Sequence, residues 1–592
     1  MKKFVLLSLV GLTILALGGI GYAQQLYELN KKGEPVIIST PGVNNPPFLD
    51  SNYQELVVGE KPPVLEFKAS GFIDVSSEYK KNTPEAQPGA WSPPFNLFGA
   101  PTQYLPQSGT ITSGGMAGTP KGAAFNKIES YMEERFRLRF DAIMGKQVSG
   151  TFFFEANSNR WGDRYGTYLG EKNQMGNWNA DAVALQIKNA FITFAVPPII
   201  PVPVTVNIGV LPLAMRPTVV NYTDGSGMNV IFKPDPAIIT FQWMKALENE
   251  DWAADDCDVY SMKAQVNVGT LTLGGYFEYY KMNTYPFTNA MSYNPATGTW
   301  TNMTPSGSFQ NTTYWATPIV NQTAAVGWYG LFADGKVGPI NLNLDFVYDS
   351  GHVAPHANMT ANADASKVNY GGWLTRLAFD YPWEKFNFGF VGMYASGADM
   401  KKTSPNGYPG DSVANNPAVN GWARRVGSYI VPPNAEVGWD DESIVFYGTA
   451  ANGINRMLTG YMNPGSNGAT LARGPYGGTW FAKFYAQMKP APWYRVTFLG
   501  MYIGDTTQNG NTIGNAVNPN GTPRHDATIG WEFDIFNDIQ IYKNLIFRAG
   551  FGYLIAGAAM DYQDTRFLPS SANVNVHPSN PWALTSKLMF VF

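Results

Sequence analysis

Cysteine is nearly missing from this chain. Cys257 stands alone among 592 residues, which excludes an internal disulfide and a Cys-x-x-Cys-His haem attachment. Histidine is almost as scarce, at His352, His356, His525 and His577. All four sit in Gly-, Pro- or Asn-rich stretches, and Pro355 breaks any helix that would set His352 and His356 on one face. They read as solvated loop residues, and neither a metal nor a cofactor is expected. No Gly-x-Ser-x-Gly nucleophile elbow stands out, so catalysis is not expected either. Charged residues are only 15%, and the formal net charge of −4 is mildly acidic, which argues against nucleic acid as a partner. Beyond residue 23 no run is apolar enough to cross a bilayer as a helix. The apolar stretch from Pro197 to Pro203 is interrupted by prolines that forbid one.

What is present begins with a leader. Lys2 and Lys3 precede an apolar stretch from Phe4 to Ile20, and Gly21-Tyr22-Ala23 places small residues at the cleavage positions. Residues 1–23 therefore read as a secretory signal peptide, cut after Ala23. Its loss takes the formal charge from −4 to −6, since Lys2 and Lys3 leave with it. Residues 24–62, with Asn44-Asn45-Pro46-Pro47 and Lys61-Pro62-Pro63, read as a periplasmic N-terminal extension. From 63 to 592 alternating runs recur, the signal of strands rather than helices. Ile340, Leu342, Leu344, Phe346 and Tyr348 share one parity, opposed by Asn341, Asn343, Asp345 and Asp349. Phe136, Leu138 and Phe140 likewise oppose Arg135, Arg137 and Arg139, and Trp531, Phe533 and Ile535 oppose Glu532 and Asp534. Aromatics are 14% of the chain, yet mean hydropathy is −0.18. A wall with one apolar and one polar face averages to such a value.

The connections come in two kinds. Short ones include Gly145-Lys146, Gly269-Thr270, Gly338-Pro339 and Tyr542-Lys543-Asn544. Long ones, rich in Gly, Asn, Pro, Ser and Thr, span about 80–124, 158–181, 283–323, 351–369, 398–476, 505–526 and 560–580. This pattern predicts an all-β fold: an antiparallel transmembrane β-barrel with short periplasmic turns and long outer loops. Upward strands are predicted to begin near 64, 147, 202, 237, 270, 339, 386, 494 and 545, and downward ones near 126, 182, 227, 257, 324, 370, 477, 526 and 581. The count is about 18, with 16 as the fallback if Pro234-Asp235-Pro236 lies inside one element. Tyr381, Trp383, Trp493, Tyr494 and Tyr542 cluster at short turns, as an interfacial girdle would.

A barrel of this size leaves an aqueous lumen, so its inward charges matter. The expected pore-lining residues are basic at Arg135, Arg137, Arg139, Lys188, Arg376, Lys483, Arg495 and Arg548, and acidic at Glu155, Glu278, Asp345, Asp349, Asp380, Glu532 and Asp534. The arginine ladder on one strand either attracts anions or pairs with its neighbours along the wall. The insertion 398–476 either folds inward to narrow the lumen or stands outside as a cap or subunit contact. The acidic stretch Glu248, Glu250, Asp251, Asp255, Asp256 and Asp258 has oxygen ligands suited to Ca²⁺ but not the spacing of a Ca²⁺ loop, and reads as a solvated loop.

The last segment, Trp582 to Phe592, puts Leu584, Leu588, Phe590 and Phe592 on one face. It resembles the closing strand of Gram-negative outer-membrane proteins, with Phe590 and Phe592 as the implied assembly signal. The whole mature chain resembles an outer-membrane porin. Gly530-Trp531-Glu532-Phe533-Asp534, Ile541-Tyr542-Lys543-Asn544-Leu545 and Gly552-Tyr553-Leu554-Ile555-Ala556-Gly557 are similar to the last hairpin of alginate-export-type barrels, which implies about 18 strands. Tyr348-Asp349-Ser350-Gly351 and Tyr394-Ala395-Ser396-Gly397 look like porin strand ends. The resemblance implies outer-membrane lipid, the barrel-assembly machinery and small hydrophilic solutes as partners, and leaves a homo-oligomer such as a trimer open. Three functions follow as expectations. The first is passive diffusion of small hydrophilic solutes or ions. The second is selective export or import of an anionic polysaccharide or similar solute, and the third is a structural barrel around a partner protein. A uniform ring of basic residues would favour the polyanion path, and mixed signs the general pore.

Overall fold

The computed structural model describes residues 65–83, 127–161, 185–197, 201–248, 256–283, 322–355, 368–399, 425–433, 435, 443–448, 474–514, 516–520, 522–563 and 575–592, with the short pieces 26–29, 35–38, 291–294 and 299–302. The expected signal peptide, most of the connection 80–124 and Glu250, Asp251 and Asp255 lie outside them. The chain divides into two compact units, Met1–Phe67 with Ala142–Lys146, and Lys68–Asp141 with Gln147–Phe592. The first contains an antiparallel pair, Leu26–Leu29 with Pro35–Ile38, inside the stretch read as an extension.

Residues 65 to 591 form a closed antiparallel barrel of 18 wall strands. In chain order they are β1 (Leu65–Thr83), β2 (Lys127–Met144), β3 (Val148–Arg160), β4 (Gln186–Ala195), β5 (Val204–Met215) and β6 (Asn221–Phe232). There follow β7 (Ala237–Leu247), β8 (Cys257–Val268), β9 (Leu271–Met282), β10 (Gln322–Val337), β11 (Ile340–Pro355) and β12 (Trp373–Trp383). The last are β13 (Phe386–Ala395), β14 (Thr479–Ala491), β15 (Tyr494–Asp505), β16 (Thr528–Tyr542), β17 (Leu545–Ala556) and β18 (Trp582–Val591). Each strand pairs with its neighbours in sequence, and β18 closes on β1 from Trp582↔Lys81 to Val591↔Phe72. Backbone bonds between Gly71 and Phe592 at 2.9 and 3.0 Å complete that seam. Closure leaves no sheet edge, which is what a strand structure needs in hydrocarbon.

The predicted strand starts agree within a few residues except one. The segment predicted near 227 begins at Asn221, because the β5–β6 connection is short and Asp224-Gly225-Ser226-Gly227 is strand rather than loop. Pro234-Asp235-Pro236 lies in the turn between two full strands, so 18 replaces the fallback of 16. Gly269 and Gly338 hold their tight turns at φ +61° and +60°, which a side chain would strain.

Period-two patterning sets the two faces. On β11, Leu344 and Phe346 are 39% and 41% exposed, whereas Asp345, Val347 and Asp349 are wholly buried. The exposed parity is apolar around the wall, with Phe241, Leu331, Phe484, Phe498, Phe551 and Leu584 on other strands. In water such a surface would be unstable, and against lipid it is the favourable one. Trp383, Trp493 and Tyr542 stand exposed at the short turns, as expected of a girdle. The other parity faces inward, and part of it is buried by the chain's own inward-folding segments.

Candidate functional site

Two segments enter the lumen. The first is the distal part of the β5–β6 hairpin. These strands pair with each other to Met215↔Asn221, but β5 leaves β4 above Ala190↔Val210 and β6 leaves β7 above Ser226↔Lys245. The departure falls at a cross-strand glycine pair, Gly209↔Gly227, with Gly209 at φ +137°. A β-carbon on Gly209 would run into the Ala190 carbonyl, so glycine is what lets the hairpin bend inward there. Leu211, Leu213, Met215, Val219 and Val220 bury themselves inside. Asn221 donates to Glu278 on β9 at 2.6 Å, and Gln242 on β7 donates to the Pro212 carbonyl at 3.2 Å.

At the hairpin tip Arg216 reaches the far wall. Its guanidinium bonds Asp345 on β11 (2.5 and 2.7 Å) and Asp334 on β10 (2.5 and 3.1 Å), with Phe332 4.4 Å beneath it. Two bidentate carboxylates fit the planar fork of arginine better than they would a lysine.

The second segment lies within the long insertion, whose described residues 425–433, 435 and 443–448 fold inward. The wall carboxylates capture its backbone. Asp349 accepts from Ile430 N (3.1 Å), and also from Gly372 N just ahead of β12 (2.8 Å), Asp534 accepts from Ile444 N (2.9 Å), and Glu532 from Val445 N (2.6 Å) and Phe446 N (2.9 Å). Trp328 donates its indole N–H to the Ile430 carbonyl at 2.8 Å. The two segments meet where the Tyr429 hydroxyl donates to the Val219 carbonyl. Burial, then Tyr276 and the nearby carboxylates, push that phenol well above its ordinary range, so it stays a donor at working pH. Tyr429, Ile430, Phe446 and Tyr447 complete an apolar filling against β9 to β17.

This filling lies over part of the expected pore lining. Glu278, Asp345, Asp349, Glu532 and Asp534 do point inward, but they are buried under the hairpin and the loop rather than bathed in lumen water. Arg376 and Lys483 are buried with them, Arg376 donating to Asn343 at 2.8 Å. Asp380 accepts from Asn341, Asn387 and Tyr485 at 2.7 to 3.2 Å. Parity alone cannot distinguish a side chain facing water from one facing an inserted loop.

The remaining expected residues lie on the arc from β15 through β18 to β4. Arg137 bonds Glu155, and Arg139, 47% exposed, holds Asp141 through bonds of 2.8 to 3.0 Å. Arg135 shares their face. Lys188 sits 2.5 Å from Asp224, and Arg495 and Arg548 flank Asp538 at 2.6 Å each. Charges of both signs therefore alternate along this arc. Arg216, Asp224, Asp334 and Asp538 went unmarked in the sequence. The signal for the first was an arginine before Pro217 between two strands. Phe590 and Phe592 lie on the outer face, ring centroids 5.8 Å apart.

No family model matches this chain, and no curated protein matches it in sequence. Solved structures do resemble its course. Pseudomonas aeruginosa OpdQ has 8% identity and a TM-score of 0.42, with 88% of this chain and 98% of that one covered. Pseudomonas aeruginosa OccK8 (OprE) has 10% identity and a TM-score of 0.40, over 89% and 98%. Pseudomonas aeruginosa OccK1 (OpdK) has 8% and 0.38, over 89% and 98%. At such identity no residue role passes from them to this chain.

Proposed function

We propose that this protein is an outer-membrane channel of a Gram-negative cell, through which small hydrophilic solutes or ions diffuse. The observation that carries the reading is the pairing of a continuous apolar exterior with an interior arc of mixed charge. The exterior suits lipid, and strands of 10 residues or more are long enough to cross it. The interior arc, with its ion pairs, suits water. A barrel of this size is too wide for its own wall side chains to fill, and the hairpin and loop cover much of the wall from β9 to β17 but not the ion pairs of Arg495 and Arg548 near its short turns. Mixed signs favour a general pore over a polyanion path. Signal-peptide export and delivery by the barrel-assembly machinery to the outer membrane belong to the same reading. Single-channel recording in a planar bilayer tests it. Discrete conductance steps with a modest reversal potential in a salt gradient are expected, and a folded barrel that passes no current refutes it.

A further inference from the structure

Three ion pairs of the β1 to β6 arc share a composition that wall stabilisation does not require: each joins a carboxylate, a cation and an aromatic ring. Glu78 accepts from Tyr131 at 2.7 Å and pairs with Lys80 at 2.7 Å, and the Lys80 ammonium lies 5.7 Å from the Tyr131 ring centre. Glu155 pairs with Arg137, whose guanidinium lies 5.6 Å from the Phe72 ring. Asp224 pairs with Lys188, 5.7 Å from the Tyr222 ring, and also accepts from Asn189 at 2.7 Å. Similar groupings at Arg216 with Phe332 and Arg548 with Phe536 have buried rings, whereas Phe72, Tyr131 and Tyr222 are only half-buried. Accessible rings beside neutralised charge pairs are thus gathered on one arc.

We propose that this arc is a binding track for a neutral, hydroxyl-rich solute, a short linear saccharide. A sugar hydroxyl both donates and accepts, and a carboxylate beside an ammonium or guanidinium offers both partners at one place. The C–H face of a pyranose ring is apolar and stacks on an aromatic face. Each group is formally neutral, so an uncharged solute gains bonds there without leaving a wall charge unpaired, whereas an ion must compete with an existing partner. Tyr131 and Arg137 lie on one strand, separated by about 20 Å at the rise of an extended chain, so the first two groups are spaced along the wall and not stacked at one level. The inference rests on the channel reading for the solute's access to the lumen.

Maltohexaose is the probe, with gluconate as the anionic comparison. Single-channel current and calorimetric binding to the detergent-solubilised barrel are measured together. Reversible block and binding by maltohexaose, weakened about tenfold or more in Phe72→Ala and Tyr131→Ala and kept in Phe72→Tyr, is the expected result. Heat-modifiable mobility on gels checks that each variant is folded, and a variant that fails it is replaced by Tyr222→Ala. Conductance without block or binding by maltohexaose overturns the track while leaving the channel standing, and block by gluconate alone does the same. Binding without conductance keeps the track and refutes the channel.

Discussion

At the scale of single residues, position relative to the wall decides what a side chain does. Leu344 and Asn343 are neighbours with opposite surroundings. Leu344 faces outward, while Asn343 donates to Asp334 at 2.5 Å and accepts from Arg376 at 2.8 Å. Leu344→Arg is expected to cost about 2–4 kcal/mol of folding free energy if the site is near the bilayer midplane. Asn343→Arg is expected to alter conduction instead, because it adds a cation beside Arg216 and Arg376. Reversible folding into vesicles, followed in denaturant, checks the first, and equal losses for both variants would mean the faces are reversed. Glu532 offers a second case. It holds two loop amides, so Glu532→Ala strands both, at about 1–3 kcal/mol for each buried donor left without an acceptor. The expected outcome is easier proteolysis within residues 398–476 and a larger single-channel conductance. Unchanged conductance would mean that this loop does not narrow the path.

At the scale of elements, strands were legible and inward folding was not. Alternation specifies a strand locally, and short turns with glycine at positive φ mark its ends, so β8, β9, β11 and β13 begin within a residue of expectation. The β5–β6 hairpin escaped because its bend depends on what β4 and β7 fail to pair with, a relation between strands and not a pattern within one. The same limit hid Arg216, whose two carboxylates lie 118 and 129 residues away in sequence. Its removal tests the element it holds. Arg216→Gln takes one positive charge from between Asp334 and Asp345, and the two carboxylates then act uncompensated on the lumen. The reversal potential is expected to move toward cation preference, most at low salt, where screening is weakest. A move toward anions would show that the hairpin itself had left its place and exposed Lys263, which now shares the Phe332 ring at 5.3 Å.

At the scale of the whole molecule, closure and asymmetry govern behaviour. Fold class, strand number and the β18–β1 seam were readable because a barrel repeats one simple pattern until it meets itself. Deleting Phe592 removes both backbone bonds to Gly71 and an outward ring, and the amount of folded barrel is expected to fall, as heat-modifiable mobility would show. The distribution of function around the ring was not readable, because the sequence shows charges but not which of them an inserted segment covers. The loop anchors lie on β11 and β16, and the arginine ladder lies on β2. Two perturbations therefore separate the contributions of the two sides. Replacing Arg135, Arg137 and Arg139 by Gln removes three positive charges and takes the arginine partners from Glu155 and Asp141. Low-dielectric walls focus such a change on the passing ion, so selectivity should shift toward cations with little change in conductance. Removing residues 425–448 should do the reverse, raising conductance while selectivity follows the untouched ladder. Reversal potential and conductance measured on both variants decide the matter. If the loop deletion changes selectivity and the arginine triple does not, the path runs along β9 to β17, and the charged arc is wall and not channel.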